Sequence, residues 1–400
     1  MFILIYFYNY ESYKLDMHNI NTVSILEKLI SYPTVSKDAN IELIYYIADL
    51  IKCDRVKPKI IKNEEKTKAN LFAYIGPEKS DGIMLSGHTD VVPVDGQNWE
   101  KPPFKCTYEN GLFYGRGTAD MKGFVASAVN AFIKAKTLNL QKPLYLALSY
   151  DEEVGCIGVR SLIDLIKGFK FKPEMCIVGE PTLMSIATGH KGKTALRAEC
   201  EGVEAHSALA PKGTNAIHLA CDLISEIRDL QNEISQNGVK DYDYDIPYTT
   251  LHVGKISGGV VLNIVPNYAA VDFEIRNLAE DKPSAILSEL KTKISKLLVK
   301  VRNKAPNANI KINITNQYPG LNTNINSEIV SFVSSLTGKN KTIKVAFGTE
   351  GGLFDEKLAI PTVVCGPGSM DQGHKPDEFV SEDQLMLCDQ MLETLLHRLS

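Results

Sequence analysis

Two imidazoles and several carboxylates of this chain stand where apolar or glycine-rich segments end. His88 follows the apolar segment at 82–85 after two small residues, and it precedes Asp90 by two residues. A metal-ligating histidine commonly hydrogen-bonds a carboxylate through its second ring nitrogen, which fixes its tautomer. His88 and Asp90 are therefore a candidate pair of metal ligand and orienting carboxylate. Taken alone, the same two residues also suit an ordinary surface loop.

Five further residues occupy similar settings. They are Asp120 in GRGTADMKG, Glu152 and Glu153 after the strand-like PLYLALSY, Glu180 after another apolar run, and His374 after a glycine-rich turn. Each has an ordinary explanation by itself, because an aspartate at a helix start usually caps the helix. Their joint occurrence at the ends of apolar segments indicates one shared site.

The donor types indicate which metal ions the site would bind. Imidazole nitrogens mixed with carboxylate oxygens suit divalent ions of the zinc or cobalt type. Magnesium would be expected to use oxygen ligands alone. Two imidazoles with three or four carboxylates are enough for two ions that share a bridging carboxylate.

The elements that must position these residues alternate between strands and helices as far as residue 183. Apolar runs at 82–85, 143–150 and 174–178 are typical of buried strands, and helical periodicity recurs between them. The alternation predicts an α/β fold with a mostly parallel sheet. Ligands of such sheets bind at the carboxyl ends of the strands, where the candidate residues stand.

The pattern of apolar and polar residues changes after residue 183. Alternating apolar and polar residues and two amphipathic helices give the order βαββαβ between about 186 and 316. We therefore expect an inserted α+β domain at 186–316. The catalytic domain would comprise residues 1–185 and 317–400.

Net charge and cysteine content limit the classes of binding partner and cellular compartment that we expect for this chain. A formal net charge of −4 argues against nucleic acid or an anionic membrane as the main partner. Eight cysteines without CxxC pairs fit a reducing cytoplasm better than a disulfide framework. The apolar residues 1–8 are too few to span a bilayer and lack the features of a signal peptide. Met17 is an alternative start, in which case residues 1–16 would be an upstream extension.

Five segments carry a resemblance to a known family: HTDVVP at 88–93, GRGTADMKG at 115–123, DEEVG at 151–155, GEPT at 179–182 and GHKPDE at 373–378. Together they resemble peptidase M20, a family of dinuclear zinc aminoacylases and carboxypeptidases. The likeness covers nearly the whole chain after about residue 20. It implies a catalytic α/β domain interrupted by a ferredoxin-like lid that usually forms a homodimer.

The resemblance also implies roles for these residues. Glu152 would be the general base, and Asp90 would orient His88. Two ions would share five ligands: Asp120 as the bridge, His88 and Glu180 on one ion, and Glu153 and His374 on the other.

Three residues of the inserted domain resemble substrate contacts of the family. His206, in the segment AHS, would reach the active site of the partner subunit and stabilise the oxyanion. Arg276 would hold a substrate α-carboxylate, and Asn263 would hydrogen-bond the acyl or carboxylate group. The alternative is an ordinary surface or core histidine, a surface arginine and a turn asparagine.

The substrate is predicted from three further segments. FGTE at 347–350, VCGPG at 364–368 and HKPDEF at 374–379 most resemble family members that deacetylate N2-acetyl-L-ornithine in arginine synthesis. Glu350 is then a candidate for binding the side-chain amine, unless it braces the loop or a metal ligand. The alternatives are desuccinylation of N-succinyl-diaminopimelate, hydrolysis of N-acyl amino acids more broadly, or an inactive binding protein. The complete ligand set argues against the last.

Overall fold

The computed structural model describes residues 20–400. The expectations for residues 1–8 and 1–16 lie outside this range. Within it, no helix combines the length and the apolar character needed to cross a membrane.

The strands, in chain order, are β1 (Lys59–Lys62), β2 (Ala69–Ile75), β3 (Ile83–His88), β4 (Thr107–Glu109), β5 (Leu112–Tyr114), β6 (Leu144–Ser149), β7 (Met175–Pro181), β8 (Ile186–His190), β9 (Gly192–Glu201), β10 (Thr250–Gly258), β11 (Tyr268–Asn277), β12 (Asn309–Tyr318), β13 (Leu321–Asn322), β14 (Thr342–Val345), β15 (Thr362–Gly366) and β16 (Phe379–Ser381). The helices are α1 (Thr22–Ile30), α2 (Ile41–Ile51), α3 (Gly123–Ala135), α4 (Val159–Lys167), α5 (Ala216–Asn237), α6 (Pro283–Arg302), α7 (Glu328–Thr337), α8 (Gly351–Leu358) and α9 (Glu382–Leu399).

The large sheet of the described residues has the order β1-β2-β6-β3-β7-β15-β8-β13, with β14 paired to β8. Its central strands β6, β3, β7 and β15 run parallel, whereas the outer β1 and β2 are antiparallel to their neighbours. Every residue of β3 and β6 is buried, because helices cover both faces. One face packs against α1, α2, α3, α7 and α9, and the other against α4 and α8. The predicted α/β architecture is confirmed.

The inserted unit has the predicted order βαββαβ. Strands β10-β11-β9-β12 form an antiparallel sheet, and α5 and α6 cover one of its faces. This is the strand order of a ferredoxin-like fold. β8 belongs to the large sheet, so the small sheet begins at Gly192 rather than at residue 186. The N-cap of α5 is Asn215, whose side chain accepts from the backbone N–H groups of Ile217 and His218.

Two short segments connect the sheets, at 190–192 and 318–321. A Cβ on Gly192 would lie 2.7 Å from the backbone nitrogen of Gly320, and one on Gly320 would lie 2.9 Å from the carbonyl oxygen of His190. The two connections therefore touch through their backbones, and only glycine fits at this crossing.

Several short elements escaped the sequence analysis. Strands β16-β5-β4 form a separate three-stranded sheet, and α8 follows the segment FGTE directly. The three strands have three residues each, too few to show a periodicity, and α8 has only eight.

Candidate metal centre

The candidate ligands gather where the central parallel strands end. His88 is the last residue of β3, Glu180 lies near the end of β7, and Glu152 and Glu153 follow β6. Asp120 sits in an irregular turn, Thr118–Lys122, that leads into α3. Parallel strands bring residues far apart in sequence to one edge of the sheet, as the sequence predicted.

The two carboxylate oxygens of Asp120 face different histidines. Asp120 Oδ1 lies 3.0 Å from His88 Nε2, and Asp120 Oδ2 lies 3.2 Å from His374 Nε2. His88 Nε2 is also 3.6 Å from Glu180 Oε1, and His374 Nε2 is 3.0 Å from Glu153 Oε2. Asp120 therefore stands between one group with His88 and Glu180 and another with His374 and Glu153.

Two sets of three residues are close enough to surround a cation. One donor atom each from His88, Glu152 and Glu180 lie within 4.8 Å of one another, and so do those of His88, Asp120 and Glu153. Glu152 thus lies at the edge of the cluster rather than away from it.

Asp90 connects the end of β3 to the loop that follows β6. His88 Nδ1 lies 2.9 Å from the carbonyl oxygen of Asp90 and 3.5 Å from its Oδ1. The Asp90 carboxylate also accepts from the backbone N–H groups of Glu152 at 3.1 Å and Glu153 at 3.3 Å, and from the hydroxyl of Ser36 at 2.7 Å. The hydrogen bond that fixes His88 is therefore accepted by the backbone carbonyl of Asp90 rather than by its carboxylate as predicted, and the carboxylate anchors the loop that carries both glutamates.

An ion pair that the sequence analysis missed supports Asp120. Glu378 Oε1 accepts from the backbone N–H groups of Ala119 at 2.9 Å and Asp120 at 3.0 Å. Its Oε2 lies 2.7 Å from Arg116 Nη1, and both side chains are 1% exposed. Gln97 links the pair to His374, because it accepts from Arg116 Nη2 at 2.6 Å and donates to the carbonyl of His374 at 2.8 Å.

A cavity of about 150 Å³ opens above the cluster. The domain that contains the large sheet contributes five candidate residues and an apolar wall to this cavity. The small sheet contributes two cationic side chains and Tyr318. The lining residues are Asp120, Glu152, Glu153, Gly155, Glu180, Lys193, Arg276, Tyr318, Phe347, Gly348, Met370 and His374. Arg276 is the predicted substrate contact that the structure brings to the cluster.

Five predicted site residues do not line this cavity: His88 and Asp90, which are buried within the cluster, and His206, Asn263 and Glu350. His206 and Asn263 are exposed on the small-sheet unit. Glu350 is 1% exposed, and neither of its carboxylate oxygens has a hydrogen-bond partner within residues 20–400. The hydroxyls of Ser149 and Ser86 lie near enough to lower its pKa in part, yet burial raises the pKa of Glu350 to about 7. Because Glu350 is buried away from the cavity, the geometry does not support its predicted contact with a substrate amine, and no hydrogen bond of its carboxylate within residues 20–400 supports the bracing alternative either.

Residues 84–398 match the family model described as Peptidase family M20/M25/M40. The chain belongs to this family. It is 31% identical over 386 residues to acetylornithine deacetylase from Shigella sonnei, covering 94% of this chain and 97% of that protein.

Solved structures agree in fold with this M20 chain. The M20 family metallo-carboxypeptidase Sso-CP2 from Sulfolobus solfataricus superposes with a TM-score of 0.75 at 20% identity, covering 94% of this chain and 98% of its own. Human carnosine dipeptidase 1 gives a TM-score of 0.68 at 16% identity, covering 94% and 96%. The family match and the relative from Shigella sonnei show that the chain is an M20 hydrolase.

The carboxylates of this M20 site repel one another. Burial raises the pKa of Glu152 and of Glu180 well above the usual range, and neighbouring carboxylates add to the effect. Burial, followed by Asp120, raises the pKa of Glu153 to about 7. Hydrogen bonds with Asp120 and Glu153 raise the pKa of His374 to about 10.

This donor set fits divalent cations. Within residues 20–400, the carboxylates of Asp120, Glu153 and Glu180 form ion pairs with His88 and His374 only, and Glu152 forms none. Buried charges need to be paired or to coordinate metals, and the raised pKa values of the three glutamates indicate that the pairing is incomplete. These residues are recognisable in the sequence because each ends a strand or turn. Arg116 and Glu378 are not, because they act on backbone groups rather than at the cavity.

We expect the affinity for cobalt(II) to rise with pH in the metal-free protein. A histidine must be neutral to ligate a metal, so cobalt has to displace the proton that His374 holds up to a pH of about 10. Each displaced proton gives about a tenfold gain in affinity per pH unit. Spectroscopic titrations at several values between about pH 7 and 9 would measure this slope. His374→Gln removes one of the titrating groups and should lower the slope, whereas a pH-independent affinity of the unaltered protein contradicts the expectation.

Proposed function

We propose that this M20 chain is a metal-dependent amidohydrolase of N-acyl-L-amino acids, with N2-acetyl-L-ornithine as its substrate. The observation that carries the proposal is one cavity that contains both the His–carboxylate cluster and Arg276. The relative from Shigella sonnei, similar over nearly its whole length, supports the choice of substrate.

We assign the ligands as the sequence predicted. Asp120 would bridge two cations, zinc or cobalt, because its two oxygens face the two histidines. His88 and Glu180 would complete one ligand set, and Glu153 and His374 the other. Such ions, when bound, lower the pKa of water and polarise the scissile carbonyl.

Glu152 would move the protons. Its raised pKa suits a carboxylate that accepts a proton from the attacking water and returns it to the leaving nitrogen. The geometry supports this role, since Glu152 lines the cavity and Asp90 fixes its backbone N–H group at 3.1 Å.

Arg276 would bind the substrate α-carboxylate. Its Nε donates to Glu274 at 2.9 Å, and its Nη1 donates to the hydroxyl of Tyr318 at 3.3 Å. Neither bond uses Nη2, so a donor remains for a carboxylate in the cavity. Glu274 and Tyr318 hold the guanidinium plane in place from behind.

Lys193 favours a second candidate substrate class. Its side chain lines the cavity beside Arg276, and its Nζ lies 3.7 Å from Glu274. With Glu350 buried, the side-chain amine of ornithine meets a cation at this wall rather than an acid. A second carboxylate, as in N-succinyl-diaminopimelate, would suit Lys193 better.

A substrate panel with zinc and with cobalt tests both candidates. We expect faster acetate release from N-acetylornithine than from N-acetylmethionine. Faster succinate release from N-succinyl-diaminopimelate would select the second class instead. In that case Lys193→Gln should lower kcat/KM for the succinyl substrate about ten- to a hundredfold, because a charge-assisted hydrogen bond is lost. Lys296→Gln, on the exposed face of α6, is the matched control, and an equal effect of both variants would remove Lys193 from the assignment.

We further propose a homodimer formed through the small-sheet unit. Val260 and Leu262 are 95% and 100% exposed, and Asn263 and His206 lie on the same surface. A contiguous apolar patch of this kind is typical of a protein interface. In the dimer His206 would enter the partner's cavity and stabilise the oxyanion. The eight free cysteines support a location in the reducing cytoplasm.

A further inference from the structure

A β-bulge in β12 turns two side chains of the small sheet toward the catalytic loop. Opposite β9, Ile314 pairs with Leu196, and Asn316 pairs with Ala195, so Thr315 is the extra residue. A bulge of one residue moves every later side chain to the other face of the sheet. Without it, Asn316 would point toward the helix-covered face.

Asn316 contacts the loop that carries Glu152 and Glu153. Its Nδ2 donates to the carbonyl oxygen of Val154 at 3.2 Å. The next residue, Gly155, has a φ of +113°, and a Cβ on it would lie 2.1 Å from that same Nδ2. The amide of Asn316 is thus packed flat against the loop backbone, and only glycine leaves room for it.

The loop is held from two sides. On the large-sheet side, Asp90 accepts from the backbone N–H groups of Glu152 and Glu153. Inside the loop, the N–H groups of Gly155 and Cys156 each donate to the carbonyl of Glu152 at 2.8 Å. Asn316 supplies the contact from the small sheet, two residues after Glu152.

A second residue turned by the bulge extends the contact. Tyr318 accepts from Arg276 at 3.3 Å, and its ring leaves no room for a Cβ on Gly348 in the opposite wall of the cavity. The carboxylate-binding arginine and the proton-transferring glutamate are therefore both held by the bulged end of β12.

We propose that Asn316 is a positioning residue that makes the alignment of Glu152 depend on docking of the small sheet. The inference rests on the proposed function, since the alignment matters for the proton transfer assigned to Glu152. When the small sheet is docked, Asn316 donates to the carbonyl of Val154, and when it is undocked that donor is lost. Arg276 lies on the same sheet. The general base is therefore aligned only when Arg276 also faces the cavity.

Two variants and a control test the inference. Asn316→Asp keeps the shape but loses the donor, and Asn316→Ala loses the donor without adding a charge. Asn313→Asp, which lies on the same strand and bonds to Glu199, is the matched control. In the metal-free protein, amide hydrogen exchange at residues 151–156 should accelerate about three- to tenfold in both Asn316 variants but not in the control. In the metal-loaded enzyme, kcat should fall by a similar factor with KM nearly unchanged, because Arg276 is intact.

The outcomes separate the two proposals. Unchanged exchange at residues 151–156, or an unchanged kcat, overturns the role of Asn316. Equal acceleration in β9 and β11 also overturns it, because the substitution would then loosen the sheet as a whole. If the unaltered enzyme hydrolyses none of the N-acyl substrates, the proposed function fails, and the exchange measurement alone decides the role of Asn316.

Discussion

Replacing Glu152 by glutamine should lower kcat by about 10²- to 10⁴-fold while both metal sites remain filled. The side chain lines the cavity next to His88 and Glu180, yet five other residues are assigned as ligands. Glutamine has nearly the same shape and cannot accept the proton of water. The expected loss therefore lies in the chemical step, and metal content and KM should change little.

Glu153→Gln is the matched control because it alters the adjacent carboxylate, which contacts His374 at 3.0 Å. This variant should lose one metal ion per subunit, whereas Glu152→Gln should lose none. Metal content by mass spectrometry and turnover should be measured on the same samples. Normal turnover in a fully loaded Glu152→Gln enzyme would exclude Glu152 as the general base.

The same variant tests the role of His206. If His206 acts in the partner's cavity, then mixing Glu152→Gln with His206→Ala should restore part of the activity. Hybrid dimers then contain one cavity in which both residues are intact. No recovery after demonstrated subunit exchange rules out that arrangement.

Arg116→Met should lower the free energy of unfolding by about 3–5 kcal/mol. The substitution leaves the carboxylate of Glu378 buried, charged and without its partner, since both side chains are 1% exposed. Glu378 also holds the backbone of Asp120, so metal affinity should fall as well. Chemical denaturation of the metal-free protein separates the stability effect from metal binding.

Two controls accompany this measurement. Lys37→Met breaks an exposed pair with Asp95, whose side chains are 63% and 81% exposed, and should cost less than about 1 kcal/mol. Adding Glu378→Gln to Arg116→Met removes the unpaired charge and should recover part of the loss. A cost for Arg116→Met as small as that for Lys37→Met would contradict the importance of the buried pair.

The sequence predicted most of the residues that the site places at the carboxyl edge of the large sheet. His88, Glu153 and Glu180 were found because apolar strands end beside them, and parallel strands share a carboxyl edge. The likeness to M20 proteins then supplied the ligand assignments, which remain to be tested by metal binding.

What the sequence could not predict depends on tertiary register. The bulge that turns Asn316 toward Val154 is defined only by pairing with β9. Glu350 was assigned to the substrate amine because FGTE resembles a segment of related proteins, whereas the residue is 1% exposed at the start of α8. Arg116 and Glu378 are 262 positions apart, and no local pattern connects them.

The order of strands in the large sheet has a consequence for synthesis on the ribosome. β15 lies in the middle of the sheet, between β7 and β8, although it is the last of the sheet's described strands to be translated. Until residues 362–366 emerge, one edge of β7 has no parallel partner, and an open edge is a template for aggregation. The contiguous small-sheet unit can fold during that interval, whereas the catalytic unit cannot be completed. Yield in a heterologous host should therefore depend on chaperones that protect this edge.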